Sequence, residues 1–223
     1  MHPPSSETEL LVRTRALAGR SLADVAAMLG LALPADLRRA KGWVGELLET
    51  ALGAPGGSAP EPDFAALGVE LKTVPVRADG RPRESTHVCT VPLHAAEGIT
   101  WETSLVRRKL ARVLWIPIET PGRGTPDTRR IGNAVLWSPT AAEDAVLCTD
   151  FDELMALVAA GTPERISGEM GTWLQIRPKA AHGHALTRTY DARGRPAATL
   201  PRGFYLRAAF TARILRAACA VAG

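Results

Sequence analysis

Cysteine is scarce in this sequence. Cys89, Cys148 and Cys219 are the three present, an odd number, widely spaced and without a Cys-x-x-Cys pair. Neither a disulfide framework nor a cysteine-bound zinc site is indicated, and the thiols read as small buried hydrophobes. Long apolar runs are missing as well, since none approaches the ~18 residues that suggest a membrane span. The N-terminus, MHPPSSETELLVRT, carries acidic residues where a signal peptide would be basic and then apolar, so the expected location is cytoplasmic. No internal repeat or low-complexity segment appears. Charge is only mildly one-sided, at +4 with a pI of 9.3, which admits an anionic partner without demanding one.

What is present is enough apolar material for a folded protein. Of 223 residues 46% are hydrophobic, which can build one large domain or two small ones. The arginines are unevenly spread. They gather at Arg107-Arg108-Lys109 with Arg112, at Arg123 with Arg129-Arg130, at Arg177-Pro178-Lys179, and at Arg193, Arg195, Arg202 and Arg207, all beyond the first third of the chain. Such a surface suits phosphates.

One stretch organises the rest: Asp63-Phe-Ala-Ala-Leu-Gly-Val-Glu70-Leu-Lys72-Thr-Val-Pro75. With strand periodicity Val69, Leu71 and Thr73 face a core, while Glu70 and Lys72 share the opposite face. Asp63 lies just upstream, so the spacing Asp-x6-Glu-x-Lys can bring two carboxylates and an amine together where a hairpin or bent strand pair meets. Two carboxylates suit a hard divalent cation such as Mg²⁺ against a phosphate, and an ammonium beside them can orient or help deprotonate a water. The plainer reading is an amphipathic strand whose outer face happens to carry Glu and Lys.

Around this stretch the periodicity predicts helices over 7–18, from Ser21, over 41–52, over 141–160 and over 210–221, with a short one at 105–110. On the 41–52 helix Val44, Leu47, Leu48, Ala51 and Leu52 form one stripe. Glu46 lies almost opposite, and Glu49 sits near the edge, within reach of the carboxylate pair. Strands are expected over 69–75, 85–91, 112–118, 173–176 and 200–206. The Asp79-Gly80 pair predicts that the first two form an antiparallel hairpin. The acids of the long helix, Glu143, Asp144, Asp150, Asp152 and Glu153, read as a solvated face. Residues 21–40, with a third helical segment at Pro34–Arg39, superficially resemble a helix-turn-helix, although that segment has no evident basic face. His182 and His184 form a His-x-His without a third ligand.

Lys41-Gly-Trp-Val-Gly, Leu-Leu-Glu49, the Asp63–Thr73 stretch, Ile99-Thr-Trp-Glu-Thr-Ser104, Arg112-Val-Leu-Trp-Ile-Pro, Leu174-Gln-Ile-Arg-Pro-Lys-Ala and Leu200-Pro-Arg-Gly-Phe-Tyr-Leu, in this order, closely resemble the MutH family. These are the strand-nicking endonucleases of methyl-directed mismatch repair. The resemblance spans residues 7 to 215. It implies an α/β fold of the type II restriction-endonuclease kind, a mixed sheet flanked by helices with two lobes around a DNA cleft. The expected organisation is a single domain over 1–223, with lobes at 1–95 and 96–223.

The same resemblance implies Mg²⁺-dependent nicking of double-stranded DNA at hemimethylated or unmethylated GATC, by a monomer that MutL activates with MutS upstream. Carried over residue by residue, Asp63 and Glu70 are metal-binding carboxylates, Glu49 the accessory metal-binding acid, Lys72 the catalytic lysine and Lys109 its support. Arg177, Pro178, Lys179 and Tyr205 fall on the DNA readers and Lys41 on a backbone-phosphate contact. Departures are His87, where an aromatic is expected, Ala111, where a further base is expected, and a divergent loop at 182–189. A stand-alone restriction endonuclease of the same fold, or a helix-turn-helix regulator, are the other readings.

Overall fold

The structure is a computed structural model that describes residues 2–37, 39–40, 42–55, 60–94, 96, 98–120, 125–179 and 186–221, the last four by backbone alone. In chain order come α1 (Glu7–Leu17), α2 (Leu22–Met28), α3 (Trp43–Leu52), β1 (Glu70–Val76) and β2 (Thr86–Thr90). Then follow α4 (Leu105–Leu110), β3 (Val113–Glu119), β4 (Arg130–Ile131), β5 (Val135–Trp137) and α5 (Ala141–Ala159). The chain closes with β6 (Leu174–Pro178), β7 (Thr187–Tyr190), β8 (Pro196–Thr199), β9 (Arg202–Leu206) and α6 (Ala208–Val221). These elements fall into two compact units, each drawn from separated stretches. One comprises Met1–Glu84, Ala111–Ser138 and Ala212–Gly223, the other Ser85–Leu110 and Pro139–Thr211. Among the described residues, no helix is long and apolar enough to cross a membrane.

The first unit is a mixed sheet covered by helices. β1 and β3 pair in parallel, with Glu70 opposite Val113 and Lys72 opposite Trp115, and β4 and β5 run antiparallel to β3. β3 is buried almost throughout, as its unbroken apolar run dictates for a central strand. Leu71, Leu114, Ile116 and Ile118 from the sheet join Leu10, Leu22, Val25, Leu47, Leu48 and Leu52 from the helices in one core cluster. Helix starts are set locally. Ser6 accepts the N–H of Glu9 at 3.1 Å to cap α1, and Ser21 with Asp24 forms a capping box for α2.

The second unit is built on an antiparallel sheet in the order β2-β9-β6, with β7 and β8 as a separate hairpin. Its core is aromatic. Phe151 of α5 lies 5.6 Å from Trp101 and 5.6 Å from Phe204 of β9, and Trp173 stacks on Phe210 at 4.3 Å.

Three expectations need correction. Asp79-Gly80 does turn the chain, and Val76 bridges Pro82, but the two flanking strands do not pair. Proline has no N–H to extend a ladder, and β2 instead joins β9 in the other sheet. Pro34–Leu37 forms bends and turns rather than a third helix, which removes the described part of the helix-turn-helix reading. The acids of α5 are not all solvated. Glu143 is buried in a capping box with Thr140, and Asp150 is buried against the turn before β6. The β7–β8 hairpin was not foreseen, since no strand was expected between 176 and 200.

Asp150 anchors that turn through three hydrogen bonds. Its Oδ1 accepts from the N–H of Thr172 at 2.7 Å, and its Oδ2 from Trp173 at 2.7 Å and Leu174 at 2.8 Å. Truncating it leaves three peptide donors without their acceptor, that of Leu174 in a buried position. Asp150→Ala is therefore expected to destabilise the protein by about 3 kcal/mol, lowering Tm by roughly 6–12 °C. Thermal unfolding followed by circular dichroism checks this, and a change under about 2 °C would contradict it.

Candidate active site

The segment between Asp63 and Glu70 is a closed loop. The N–H of Phe64 donates to the carbonyl of Val69 at 2.9 Å, and the N–H of Val69 returns to Phe64 at 3.3 Å, around a single 3-10 turn at Ala65–Leu67. Gly68 closes it with φ +65°, a left-handed conformation in which a side chain would be strained. The Asp-x6-Glu spacing thus becomes proximity in space. The carboxylate of Asp63 reaches back to accept the N–H of Leu71 at 2.8 Å.

On β1 the strand alternation holds. Leu71 belongs to the helix-covered core, and Glu70 and Lys72 share the other face, where Lys72 Nζ donates to Glu70 Oε1. Glu70 is 2% exposed and Lys72 16% exposed. A charge so dry persists because its counter-charge is in contact, and removing either partner leaves the other uncompensated.

Glu49 arrives from α3. Leu47, Leu48, Ala51 and Leu52 fix the rotation of that helix against the core, which leaves Glu49 at the boundary, half-buried. Burial raises its carboxyl pKa above the ordinary value, and the negative charges of Asp63, Glu46 and Glu70 raise it further against the opposing pull of Lys72. Glu46, placed by the helical wheel almost opposite the apolar stripe, is thus one of the charges felt here. The missed signal was its i, i+3 spacing from Glu49.

Among the described residues no three His, Cys, Asp or Glu side chains form a ready-made metal set. Lys72 occupies Glu70, and Leu71 occupies Asp63. The donors themselves fit a hard divalent cation: all are carboxylate oxygens, and Glu49 carries the electrostatic signature of an anionic neighbourhood short of positive charge.

The remaining sequence-predicted residues described, Ala111 apart, belong to the second unit. Lys109 is half-buried on α4. Arg177, Pro178 and Lys179 are exposed at the end of β6, where Lys179 donates its N–H to Pro201 O at 2.7 Å and its Nζ to Thr90 Oγ1 at 3.2 Å. Tyr205 on β9 is half-buried, and its ring meets the His87 ring edge-on at 5.1 Å. Gly203 makes room for the pair, since a Cβ there would lie 3.0 Å from Tyr205 Cε2 and 3.1 Å from His87 Cδ2. Ala111 is exposed and its carbonyl accepts Ser138 Oγ at 2.7 Å. Lys41, His182 and His184 lie outside the described residues.

Comparison with known proteins bears directly on this arrangement. Residues 52–150 match the family model described as DNA mismatch repair enzyme MutH. The chain is 53% identical over 213 residues to the DNA mismatch repair protein MutH of Enterobacter sp. (strain 638), covering 96% of this chain and 93% of that one. It is 54% identical over 213 residues to the protein of the same name from Salmonella paratyphi B, covering 96% and 92%. The chain belongs to the MutH family. It is accordingly a DNA mismatch repair endonuclease with a restriction-endonuclease-like fold, and the family suggests a divalent metal cofactor.

The strain on Glu49 has a measurable sign. Because its folded-state pKa is raised, the cost of ionising it is absent below the ordinary carboxylate range and fully present above the raised value, hence present at neutral pH. Glu49→Gln removes the charge and is expected to raise Tm by roughly 2 °C at pH 7.5, with the gain disappearing toward pH 4. Differential scanning calorimetry at the two pH values tests this, and a lower Tm at pH 7.5 would contradict it.

Proposed function

We propose that this MutH-family endonuclease nicks the unmethylated strand at hemimethylated GATC sites, using Mg²⁺, in response to MutL activated upstream by MutS. It acts in the cytoplasm as a monomer of one endonuclease domain. The observation that carries the reading is the convergence of Glu49, Asp63, Glu70 and Lys72 in a chain of this family.

Asp63 and Glu70, with Glu49 from the helix, would hold the cation. When bound, it neutralises charge that develops on the scissile phosphate. Lys72 keeps Glu70 compensated and presents an ammonium that orients the attacking water and assists its deprotonation. Lys109 supports this chemistry. Lys41 binds backbone phosphate, Arg177 pairs with a guanine edge beside Pro178, and Tyr205 with Lys179 meets the adenine edge. Methylation at adenine N6 adds bulk and removes one N–H there, which penalises a side chain packed against it.

Nicking of GATC plasmid in unmethylated, hemimethylated and fully methylated forms, with and without Mg²⁺ and with and without MutL, tests the assignment. Unaided cutting of both strands would identify a restriction enzyme instead.

Asp63→Ala and Glu70→Ala are each expected to lower the nicking rate by about 100-fold or more, with DNA affinity largely kept. Lys72→Ala should behave alike, and Lys72→Arg should rescue poorly because the guanidinium is larger and does not deprotonate. Single-turnover nicking beside a binding titration checks this, and near-normal nicking by Asp63→Ala would sink the assignment.

Tyr205→Ser is expected to narrow the rate ratio between unmethylated or hemimethylated and fully methylated sites, whereas Lys179→Ala should depress all forms together. Unchanged ratios in Tyr205→Ser would mean that Tyr205 is not the methyl sensor.

A further inference from the structure

We propose that the β7–β8 hairpin is an auxiliary DNA clamp, which grips the phosphate backbone of duplex flanking the target without reading its sequence. The inference rests on the chain being a DNA endonuclease, and on the following placement of charge.

β7 and β8 pair with Arg188 opposite Ala198 and Tyr190 opposite Pro196. All four of these residues are exposed, and Tyr190 is 49% exposed. The opposite face is tethered: Thr189 is buried, and its hydroxyl donates to Leu93 O at 3.1 Å. The hairpin is therefore held on one face and open on the other. The small cross-strand neighbours leave the arginine and the tyrosine standing clear of the sheet.

The turn adds a further charge to the hairpin. Asp191 Oδ1 accepts the N–H groups of Arg193 and Arg195 at 2.9 Å each, and its Oδ2 accepts Arg195 Nε at 2.8 Å. Asp191 thereby shapes the turn and cancels Arg195. The side chains of Arg188 and Arg193 have no acceptor or acid engaged with them among the described residues. From Leu186 to Arg207 the sequence holds five arginines and one acid. Uncompensated positive charge beside an exposed aromatic is what a polyanion backbone stabilises. A protein partner would instead call for an apolar centre to the patch; Leu186, 63% exposed just before β7, and Tyr190 are its two large apolar side chains, and they stand among free guanidiniums and the small Ala198 and Pro196, which favours a phosphate backbone.

The hairpin also continues the basic tract of the same unit. β8 runs through Leu200-Pro201 into β9, and Pro201 O receives the N–H of Lys179 at the end of β6. Arg177 and Lys179 on the strand end and Arg188 and Arg193 on the hairpin thus belong to consecutive, hydrogen-bonded pieces. A clamp here lengthens the footprint rather than sharpening the readout.

The test is fluorescence-anisotropy binding of two duplexes with one GATC site each, one ending about 4 bp beyond the site and one about 30 bp long, over a range of salt. The double variant Arg188→Ala/Arg193→Ala should bind the long duplex about 10-fold more weakly at low salt and the short one almost normally, and its log K against log salt slope on the long duplex should shrink by about 2. Arg188→Lys in place of Arg188→Ala should restore about half of the lost slope, because it returns one of the two charges and a phosphate needs only the charge. Nicking rate at saturating DNA and the methylation ratios should stay at parental values, so failure of the clamp is distinguishable from failure of the site assignments. An unchanged slope, equal losses on both duplexes, no rescue by lysine, or normal DNA binding with lost stimulation by MutL would each overturn the proposal, the last by assigning the hairpin to a protein contact.

Discussion

The repulsion among carboxylates beside β1 is the constraint on which the rest of the first unit depends. Folding spontaneously separates like charges, so a sequence that gathers Glu46, Glu49, Asp63 and Glu70 must hold them by other means. Each is tied to an element with its own reason to be there. The leucine stripe seats α3, the Phe64–Val69 bridge closes the Asp63 loop, and parallel pairing with β3 fixes β1. Lys72 supplies the compensating charge within the protein. The apolar core thus does more than stabilise, since it supplies the rigidity against which an unfavourable charge pattern can be held ready.

The second unit solves a different problem, that of presenting polar groups on strand ends that packing alone would leave loose. Asp150 ties the turn before β6 to α5, and Arg207 donates to the carbonyls of Gly168, Met170 and Gly171 on the same turn. These fully satisfied polar contacts set where β6 begins, and through its register with β9 they set where Arg177 and Tyr205 stand. A shift of one residue would turn every side chain of β6 to the other face.

Much of this was legible in the residue pattern, for physical reasons that differ between elements. Period-2 alternation at Val69–Thr73 placed Glu70 and Lys72 on one face because successive side chains of a strand point to opposite sides, although Glu70, Val74 and Val76 on that face are buried as well. The capped helices were legible because Ser21-x-x-Asp24 writes its own hydrogen bonds. The partner of β1 was not legible: Asp79-Gly80 signals a turn but says nothing of whether the returning chain stays, and Pro82 with the competing edge of β9 sent it elsewhere. Nor were Asp150 and Glu143, because an acid on a helix looks the same in sequence whether it meets water or three peptide N–H groups. The β7–β8 hairpin was hidden by its composition. Thr-Arg-Thr-Tyr and Pro-Ala-Ala-Thr lack the apolar alternation of a core strand, and their pairing rests on backbone hydrogen bonds and the Asp191 turn.

On the proposed site assignments, charge divides the labour between the two units. A cluster of four acids repels a phosphodiester, so the residues that perform the chemistry cannot supply affinity for the substrate until a cation offsets them. Affinity has to come from elsewhere in the chain. The exposed lysine and arginines of β6 and the hairpin are suited to this, because contacts to phosphate draw on counterion release and need no particular base. Specificity is a third and smaller contribution, carried by the few side chains that can approach base edges. On the proposed assignments, the arrangement would let a nuclease hold DNA without cutting it, with cleavage conditional on cation and geometry at the acids.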